Sequence, residues 1–307
     1  MLFVLPYLCK AVDLIFELSS VHSMNLNRCS ICHGELSNTL LTIHCPDRFE
    51  RYINIAEEGY SRRWVECAYC GCATNIFDTF SIAQLADLES SYYLVDLKGK
   101  DLSERYAKLM NLPVGCSDNR QRVARILAQI DALQITQFSV ADIGAGTGIF
   151  LSQLFAEAGD RIARAVAIEP DSYAAAHLST LQQFDVIQDT FPLRQGLQHF
   201  DLVTLNKVLE HIADPLPFLS QIHSLLNQDT GVLYLEVPDV RTISLRPSND
   251  NILGSLHRHL YSPLGLEIAL RSCSYQPLQI ERISEPSGKI TIYAFALSTL
   301  PSSNPSP

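Results

Sequence analysis

The chain has 307 residues, which is long enough for two domains of ordinary size. Hydrophobic residues make up 47% of the sequence and can supply a full core, while charged residues make up only 18%. Because the net charge is −10, the surface would repel a polyphosphate backbone. This balance disfavours nucleic acid as a partner and favours small or carrier-linked substrates.

The N-terminal segment predicts neither a membrane span nor a secretory signal. Its apolar run, residues 2–18, is interrupted by a proline and three charged residues, whereas a span needs about 20 mostly apolar residues. It also lacks a basic start and a small-residue cleavage site. We interpret residues 1–23 as an extension upstream of a natural start at Met24, with an ordinary amphipathic helix as the alternative. The expected location is the cytoplasm.

The next segment, residues 24–80, carries paired cysteines with the spacing of zinc ligands. Cys29 and Cys32 form one Cys-x2-Cys pair, and Cys67 and Cys70 form a second, each followed by small turn residues. Two such knuckles bring four thiolates around one tetrahedral Zn²⁺. Disulfides are the weaker explanation, because no secretion signal accompanies the cysteines. Four sulfurs close the coordination sphere, so we predict a structural zinc in a small lobe.

Two features of this lobe leave choices open. The 34 residues between the pairs exceed the usual zinc-ribbon spacing of about 15–20, so residues 40–64 should form a hairpin or lobe beyond the metal. Cys72 lies two residues after Cys70 and competes with it as the fourth ligand. Cys45, next to His44, is a weaker donor. The fourth ligand is therefore either Cys70 or Cys72.

Residues 81–118 have a mixed pattern that is interrupted by Gly99 and Pro113. They predict a connecting arm between the lobe and a following domain, and the open question is whether this arm also covers a substrate pocket. Residues 119–133 then predict a helix that leads into the first sheet strand. Apolar residues recur on one face of this helix, namely Val123, Ile126, Leu127 and Ile130.

The strongest functional signal is the stretch of residues 138–171. An apolar run leads into a loop with an acid and three glycines at alternate positions, Asp142, Gly144, Gly146 and Gly148. An amphipathic segment follows, and a second apolar run stops on Glu169. This order of strand, loop, helix, strand and acid predicts a βαβ unit with a ligand site at the carboxyl end of its first strand. Glycines there let backbone N–H groups approach a ligand beside a helix N-terminus.

The position of Glu169 indicates which ligand the loop takes. Glu169 lies 21 residues after Gly148, where an acid can accept hydrogen bonds from both ribose hydroxyls. A dinucleotide loop needs glycine at its sixth position, which is Ile149 here when counted from Gly144. The spacing instead resembles the first motif of class I S-adenosylmethionine (SAM)-dependent methyltransferases.

The pattern keeps alternating after this unit. Residues 171–184 predict a helix and residues 185–188 a short strand, which is followed by Asp189 and Phe191. In a nucleoside site an acid at this point can accept from the adenine amine while the ring covers a face of the base. A solvated loop acid is the alternative.

A fourth strand, residues 200–205, runs into the segment NKVLEHIADP at residues 206–215. This segment resembles the fourth-strand motif of class I methyltransferases. The resemblance implies that Asn206 neighbours the methionine end of SAM and that His211 lies near the transferable methyl group. The implied cofactor site comprises Asp142, Gly144, Ala145, Gly146, Gly148, Glu169, Pro170, Asp189, Thr190 and Asn206.

The remaining elements complete an α/β fold. Ser262 as N-cap and Pro263 at the first position predict a helix that ends near Ser272. The other predicted elements are a helix at 215–226, a strand at 231–237 and a closing hairpin at 279–283 and 290–297. We therefore expect a seven-stranded, doubly wound, Rossmann-like methyltransferase sheet. The predicted domain spans residues 119–298, and residues 299–307 form a disordered tail.

The combination of a four-cysteine lobe, this sheet and a histidine-containing segment before the last helix is more specific. From about residue 27 to residue 297, it resembles zinc-containing methyltransferases that act on nucleotide-linked deoxysugars and usually methylate carbon beside a ketone. The resemblance implies a sugar or nucleotide sugar as the acceptor. Those enzymes show a Glu-His pair where Arg258 precedes His259 here. Oxygen and nitrogen acceptors therefore stay open.

A base must remove the proton of the acceptor, and histidine suits this role because its pKa lies near working pH. The candidate catalytic residues are His211, His257 and His259, with Tyr261 as a partner. Two other functions stay open. One is an RNA methyltransferase with a zinc knuckle, which the acidic composition disfavours, and the other is a non-catalytic protein that kept the fold.

Overall fold

The structure, a computed structural model, describes residues 28–78, 84, 88, 95, 101–193, 196–228 and 230–299. The predicted extension, most of the arm before residue 101 and the tail beyond Thr299 lie outside these residues. Thr299 itself is anchored, because its amide and its hydroxyl both donate to the carbonyl of Ser274. In the described part of the chain, no helix is long and apolar enough to cross a membrane.

The lobe that carries the paired cysteines is built on a small antiparallel sheet. In chain order its elements are β1 (Leu36–Ile43), α1 (Arg48–Tyr52), β2 (Arg62–Cys67) and β3 (Ala73–Phe77). The predicted insertion is thus a β1–β2 pair with a short helix in the connection. Asp47 starts α1 because its carboxylate accepts from the amides of Phe49 and Glu50, while Glu50 accepts from the amide of Asp47.

Of the chain between the lobe and the main sheet, the structure gives the bounds of the helices α2 (Leu102–Met110) and α3 (Asp118–Ala132). The apolar face that the sequence predicts for α3 is buried, as expected. Arg122 is not one of the apolar residues that the sequence predicts for this face. It is buried, and its guanidinium pairs with Glu236 at 2.6 Å. A charge is tolerated there because the carboxylate of Glu236 compensates it.

The predicted seven-stranded sheet is confirmed. Its strands follow the order β10-β11-β8-β7-β4-β5-β6, with β10 and β11 antiparallel and the inner strands parallel. The elements from β4 onward are β4 (Phe138–Ile143), α4 (Ile149–Ala158), β5 (Ile162–Ile168), α5 (Ser172–Leu181), β6 (Asp185–Ile187), β7 (Leu202–Asn206), α6 (Pro215–Ile222), β8 (Val232–Pro238), α7 (Thr242–Leu245), β9 (His259–Leu260), α8 (Pro263–Ser272), β10 (Tyr275–Ser284) and β11 (Ile290–Ser298).

The inner strands read as nearly continuous apolar runs because helices cover both faces of the sheet. All seven residues of β8 are buried, and one apolar core lies on each face. The chain enters the sheet at β4, with β5 and β6 on one side and β7 and β8 on the other. At such a reversal of strand order, the carboxyl ends of the strands leave a crevice for a ligand.

The two-residue strand β9 joins the lobe to the main domain. Although it lies between β8 and α8 in the chain, it extends the small sheet by pairing with β3, where Ala73 faces Leu260 and Thr74 faces His259. Helix α8 then starts as predicted, because the hydroxyl of Ser262 accepts from the amide of Gly265. Ser262 also donates to the carbonyl of Cys70 in the lobe.

Candidate active site

The glycine loop after β4 adopts a conformation that favours glycine. Gly144, Gly146 and Gly148 have φ values of +72°, +55° and +76°. The amide of Gly146 donates to one carboxylate oxygen of Glu169 at 2.8 Å. The other oxygen accepts from the amide of Asp171 at 3.0 Å. The loop and the acid at the end of β5 therefore lie together at one edge of the sheet.

Three polar side chains meet beneath this loop. Asp142 is buried, and its Oδ1 accepts from the hydroxyl of Thr204 at 2.6 Å and from Nδ2 of Asn206 at 2.9 Å. Burial raises the pKa of Asp142 to about 7, although these hydrogen bonds oppose the rise. The Oδ1 of Asn206 is buried and has no hydrogen-bond partner among the described residues. A ligand that brings an N–H donor would satisfy it.

The other residues of the predicted cofactor site lie along the same edge. The amide of Ala145 donates to the carbonyl of Ile168 at 3.2 Å, while Pro170 is exposed at the end of β5. Asp189 follows β6, and its carboxylate accepts from the amide of Thr190 at 2.8 Å. The ring of Phe191 packs edge-on against Phe218, at 5.4 Å between centroids. These residues lie in the loops that follow β4, β5 and β6, at the carboxyl ends of these parallel strands.

A cavity of about 260 Å³ opens where β7 and β8 end. Four basic side chains from separate elements line it: Arg48 from α1, Arg105 from α2, Lys207 from the loop after β7 and Lys289 from the hairpin before β11. Lys207 directly follows Asn206, so the cavity adjoins the polar cluster beneath the glycine loop. The lobe, the arm and the main domain all contribute to its walls.

His211 and His257 face each other in this cavity, with 4.7 Å between ring centroids. Nδ1 of His211 lies 3.0 Å from the carbonyl of Leu256, and Nδ1 of His257 lies 2.7 Å from the carbonyl of Ile252. Because a carbonyl only accepts, each Nδ1 carries a proton, so in the neutral form of each ring Nε2 carries the lone pair. Burial, together with the neighbouring His211, lowers the pKa of His257 to about 3, so this ring is neutral.

The lobe fixes the backbone of the segment that carries His257. Arg62 and Trp64 of β2 both donate to the carbonyl of Leu253, at 2.8 and 3.2 Å. Asn75 of β3 donates to the carbonyl of His257 at 2.8 Å. All three donor residues are buried. The lobe therefore determines where His257 stands, a role that the sequence did not indicate.

The structure separates the four predicted catalytic residues. His259 is buried, and its Nε2 lies 3.1 Å from the carbonyl of Ala213 and 3.3 Å from the hydroxyl of Ser30. Tyr261 is also buried, and its hydroxyl donates to the carbonyl of Leu209 at 3.2 Å. Within the described residues, neither side chain lines the cavity. Both stabilise the junction of lobe and domain, so we retain only His211 and His257 as catalytic candidates.

Glu210 is a site residue that the sequence analysis left without a role. It is 1% exposed, it lines the cavity, and its Oε2 has no hydrogen-bond partner within the described chain. Burial raises its pKa to about 7. Glu210, His211 and His257 each place one possible metal-ligating atom within 4.8 Å of the other two. The available signal was an acid in an apolar stretch directly before the predicted histidine.

The four predicted zinc ligands come together in the lobe. The Sγ atoms of Cys29, Cys32, Cys67 and Cys70 all lie within 4.8 Å of one another. Cys32 and Cys67 are 3.3 Å apart, and Cys29 and Cys70 are 3.7 Å apart. Tetrahedral sulfurs at the Zn–S distance of about 2.3 Å lie about 3.8 Å from one another. The donor set and its spacing therefore fit a zinc ion.

Cys72 has a different environment. Its Sγ accepts from the amide of Ser262 at 3.4 Å, at the start of α8. A Cβ on Gly265 would lie 2.0 Å from this sulfur, so the helix accommodates Cys72 only because residue 265 is glycine. Cys45 is exposed and outside the cluster. The geometry thus favours Cys70 over Cys72 as the fourth ligand.

Comparisons with known proteins agree with this geometry. Residues 111–281 match a family model described as a methyltransferase domain. The chain is similar to the 1,6-didemethyltoxoflavin-N1-methyltransferase of Burkholderia thailandensis, which was solved with 1,6-didemethyltoxoflavin and S-adenosylhomocysteine. That match has 20% identity and a TM-score of 0.52, and it covers 76% of this chain and 97% of that one. It is also similar to the plantazolicin methyltransferase BpumL, which was solved with a triazolic desmethylPZN analog and S-adenosylhomocysteine. That match has 12% identity and a TM-score of 0.53, and it covers 70% of this chain and 99% of that one. No curated protein gives a significant match.

Proposed function

The chain belongs to the methyltransferase domain family, and we propose that this SAM-dependent methyltransferase acts on an anionic small molecule, namely a nucleotide sugar or a related sugar. The observation that carries the proposal is the cavity beside the glycine loop. Basic side chains from four separate elements converge there with two histidines. An anionic acceptor suits this many basic side chains better than a neutral sugar or a purely apolar acceptor does, although Lys207 and Lys289 also pair with Glu285 and Asp118.

The residues beneath the loop fit SAM. The bare backbone of the glycine loop can approach the nucleoside, and Glu169 is positioned to accept from the ribose hydroxyls. The buried, unpaired Oδ1 of Asn206 is a partner for the ammonium group of the methionine part. When bound, SAM supplies an electrophilic methyl group on a sulfonium. The protein then has to place the acceptor in line with that group, which can contribute about 7–11 kcal/mol.

The acceptor would lie against Arg48, Arg105 and Lys289, which are all exposed at the cavity and suit a diphosphate. Lys207 has a different role, because its ammonium pairs with Glu285 at 3.5 Å and donates to Thr291. Arg258 replaces the glutamate of the sugar enzymes, and its guanidinium packs over the ring of Phe77. Because that acid is missing, oxygen and nitrogen acceptors remain part of the proposal alongside carbon.

His211 is the base in this proposal. Its Nδ1 is held by the carbonyl of Leu256, which fixes the orientation of the ring and therefore of Nε2. The ring of His257 packs against it and limits its rotation. A positioned base contributes about 10²- to 10⁴-fold to the rate. His211 would take the proton from the acceptor atom as that atom bonds to the methyl carbon and the carbon–sulfur bond breaks.

The cysteine cluster, in the same proposal, holds a structural zinc. Cys29, Cys32, Cys67 and Cys70 would take all four tetrahedral positions, so none would be left for water or substrate. Zinc binding on the order of 10 kcal/mol is enough to order a lobe with a small core. The ordered lobe then holds the segment of His257.

Transfer of label tests the proposal. The protein is incubated with methyl-labelled SAM and a panel of nucleotide sugars, and each is paired with its free sugar as the matched control. We expect label in the nucleotide-linked members, with at least a tenfold preference over the free sugars. His211→Ala should retain SAM binding and slow turnover about 100-fold or more. His199→Ala, at an exposed position, is the control.

Other outcomes would contradict the proposal in distinct ways. Salt-sensitive labelling of RNA would indicate an RNA methyltransferase instead. A protein that shows no heat of SAM binding in calorimetry would be a non-catalytic member of the family. Unchanged turnover in His211→Ala would remove this histidine from the catalytic role while leaving the assigned activity intact.

A further inference from the structure

We infer that Glu210, His211 and His257 form a second metal site, which binds a divalent transition-metal cation in the acceptor cavity. The site is distinct from the cysteine cluster in both position and donor type. Each of the three residues places a possible ligand atom within 4.8 Å of the other two. Two imidazoles and one carboxylate are a donor set for Mn²⁺, Fe²⁺, Co²⁺ or Zn²⁺.

The buried carboxylate of Glu210 is the first observation that supports a cation site. Its residue is 1% exposed, and the Oε2 atom has no hydrogen-bond partner in the portion of the chain described. A buried carboxylate oxygen without a partner costs several kcal/mol unless a donor or a cation satisfies it. Since Glu210 lines the cavity, a cation placed there would meet this oxygen.

The hydrogen bonds of the two histidines are the second observation that supports a cation site. Ligating histidines usually donate their other ring N–H to a backbone carbonyl or a carboxylate, which orients the ring toward the metal. Both rings show this arrangement, since Nδ1 of His211 bonds to Leu256 and Nδ1 of His257 bonds to Ile252. Each Nε2 therefore carries the lone pair that a metal needs. Two neighbouring rings with the same tautomer fixed in the same way are expected for a metal site.

Three protein ligands leave coordination positions open. A site of this kind keeps positions for water or substrate, in contrast to the closed four-sulfur cluster. The open positions would face the cavity, which has a volume of about 260 Å³. An oxygen of the acceptor could therefore bind the cation directly.

The surrounding charges are compatible with a cation. Lys207, which is on the same loop as Glu210, is 3.5 Å from Glu285 and 4.0 Å from Glu236, so its charge is offset by two carboxylates. Arg48 and Arg105 also line this cavity, from α1 and α2. An anionic acceptor bound to the cation would offset the charge of the cation as well as that of these basic side chains.

The consequence for the reaction rests on the proposed function, whereas binding of the cation does not. A cation-bound hydroxyl of the acceptor loses its proton to water more readily, because the cation stabilises the oxyanion. That oxygen then bonds to the methyl carbon as the carbon–sulfur bond of SAM breaks, which yields S-adenosylhomocysteine. In this arrangement His211 is a ligand, and the cation replaces it as the group that activates the acceptor.

Metal stoichiometry tests the inference. Zinc-reconstituted whole protein is dialysed against equal concentrations of Mn²⁺, Co²⁺ and Zn²⁺, and bound metal is counted by atomic emission. We expect two equivalents per chain in the wild type and one in Glu210→Gln and in His257→Gln. Glu267→Gln, at a half-buried position of α8 outside the proposed site, should keep two. Mn²⁺ titration followed by electron paramagnetic resonance should show affinity at least about tenfold weaker in the ligand variants.

SAM binding and thermal unfolding establish that each variant is folded. A wild type with one equivalent would overturn the inference, as would two equivalents in all variants. The activity assay separates this result from the proposed function. Methyl transfer that persists after chelation of the second equivalent would refute the cation's role and retain the methyltransferase. A bound second cation with no methyl transfer to any acceptor would support the metal site and contradict the proposed methyltransferase activity.

Discussion

The substitutions Cys70→Ser and Cys72→Ser test which of these two cysteines binds zinc. The two cysteines are buried, they lie two residues apart, and they undergo the same chemical change, so each variant is the control for the other. We expect Cys70→Ser to lose zinc affinity, because its sulfur is 3.7 Å from that of Cys29. Cys72→Ser should retain zinc, because its sulfur bonds to the amide of Ser262 instead.

The size of the effect follows from the four-sulfur geometry. A structural zinc site binds with about 10–16 kcal/mol, so one thiolate of four accounts for roughly 2.5–4 kcal/mol if the ligands share it equally. At about 1.4 kcal/mol for each factor of ten, Cys70→Ser should weaken zinc binding roughly 100- to 1,000-fold. Serine at position 72 can still accept from the amide of Ser262. We therefore expect unfolding free energy to change by about 1 kcal/mol or less in Cys72→Ser.

Competition with a chromogenic zinc chelator measures the affinity of both variants, and denaturant unfolding of the zinc-loaded proteins measures their stability. Equal affinities would refute the assignment of the four ligands. A loss of zinc in Cys72→Ser alone would show that Cys72 is the fourth ligand and that helix α8 moves to release it.

Three further predictions concern the main sheet. Gly146→Val should abolish SAM binding in calorimetry and leave the zinc content unchanged. The reason is that φ is +55° at Gly146, a conformation that a β-branched residue disfavours. Unchanged affinity for SAM would contradict the assigned cofactor site. Glu236→Gln should lower the free energy of unfolding by about 3–5 kcal/mol, because Arg122 is left buried without its counter-charge; a loss below about 1 kcal/mol would refute this. The pKa of Asp142 rises from 3.8 to about 7, so its ionisation opposes folding increasingly as pH rises through that window. In the absence of SAM, Asp142→Asn should therefore gain stability relative to wild type by up to about 4 kcal/mol between pH 4 and pH 8, and a pH-independent difference would contradict the shift.

Local patterns account for what the sequence predicted well. The loop around Gly146 and the cap at Ser262 depend on residues a few positions away, and the structure places both as expected. The inner strands were recognisable because a sheet covered on both faces leaves apolar runs. Cofactor class and fold could therefore be inferred before the structure was known.

Features that depend on contacts between residues far apart in the sequence could not be predicted from local patterns. Nothing local marks Arg122 of α3 as a buried charge, because its partner Glu236 is 114 residues away. The choice between Cys70 and Cys72 depends on Gly265, near the other end of the chain. Two-residue strands such as β9 have no detectable period. For the same reason, nothing in the sequence separated His257, at the cavity, from His259, in the junction.

The cysteine cluster and the proposed metal site at His257 are linked through the lobe, a relation that neither motif indicates. The cysteines tie the end of β2 to the turn before β3, and these two strands carry Arg62, Trp64 and Asn75. Those side chains hold the carbonyls of Leu253 and His257. In contrast, the contacts around the glycine loop form within the main sheet. A zinc with a closed coordination sphere would therefore influence catalysis through the lobe, which holds the backbone of the His257 segment and carries Arg48 at the cavity. Its loss should weaken the acceptor side of the site before the cofactor side.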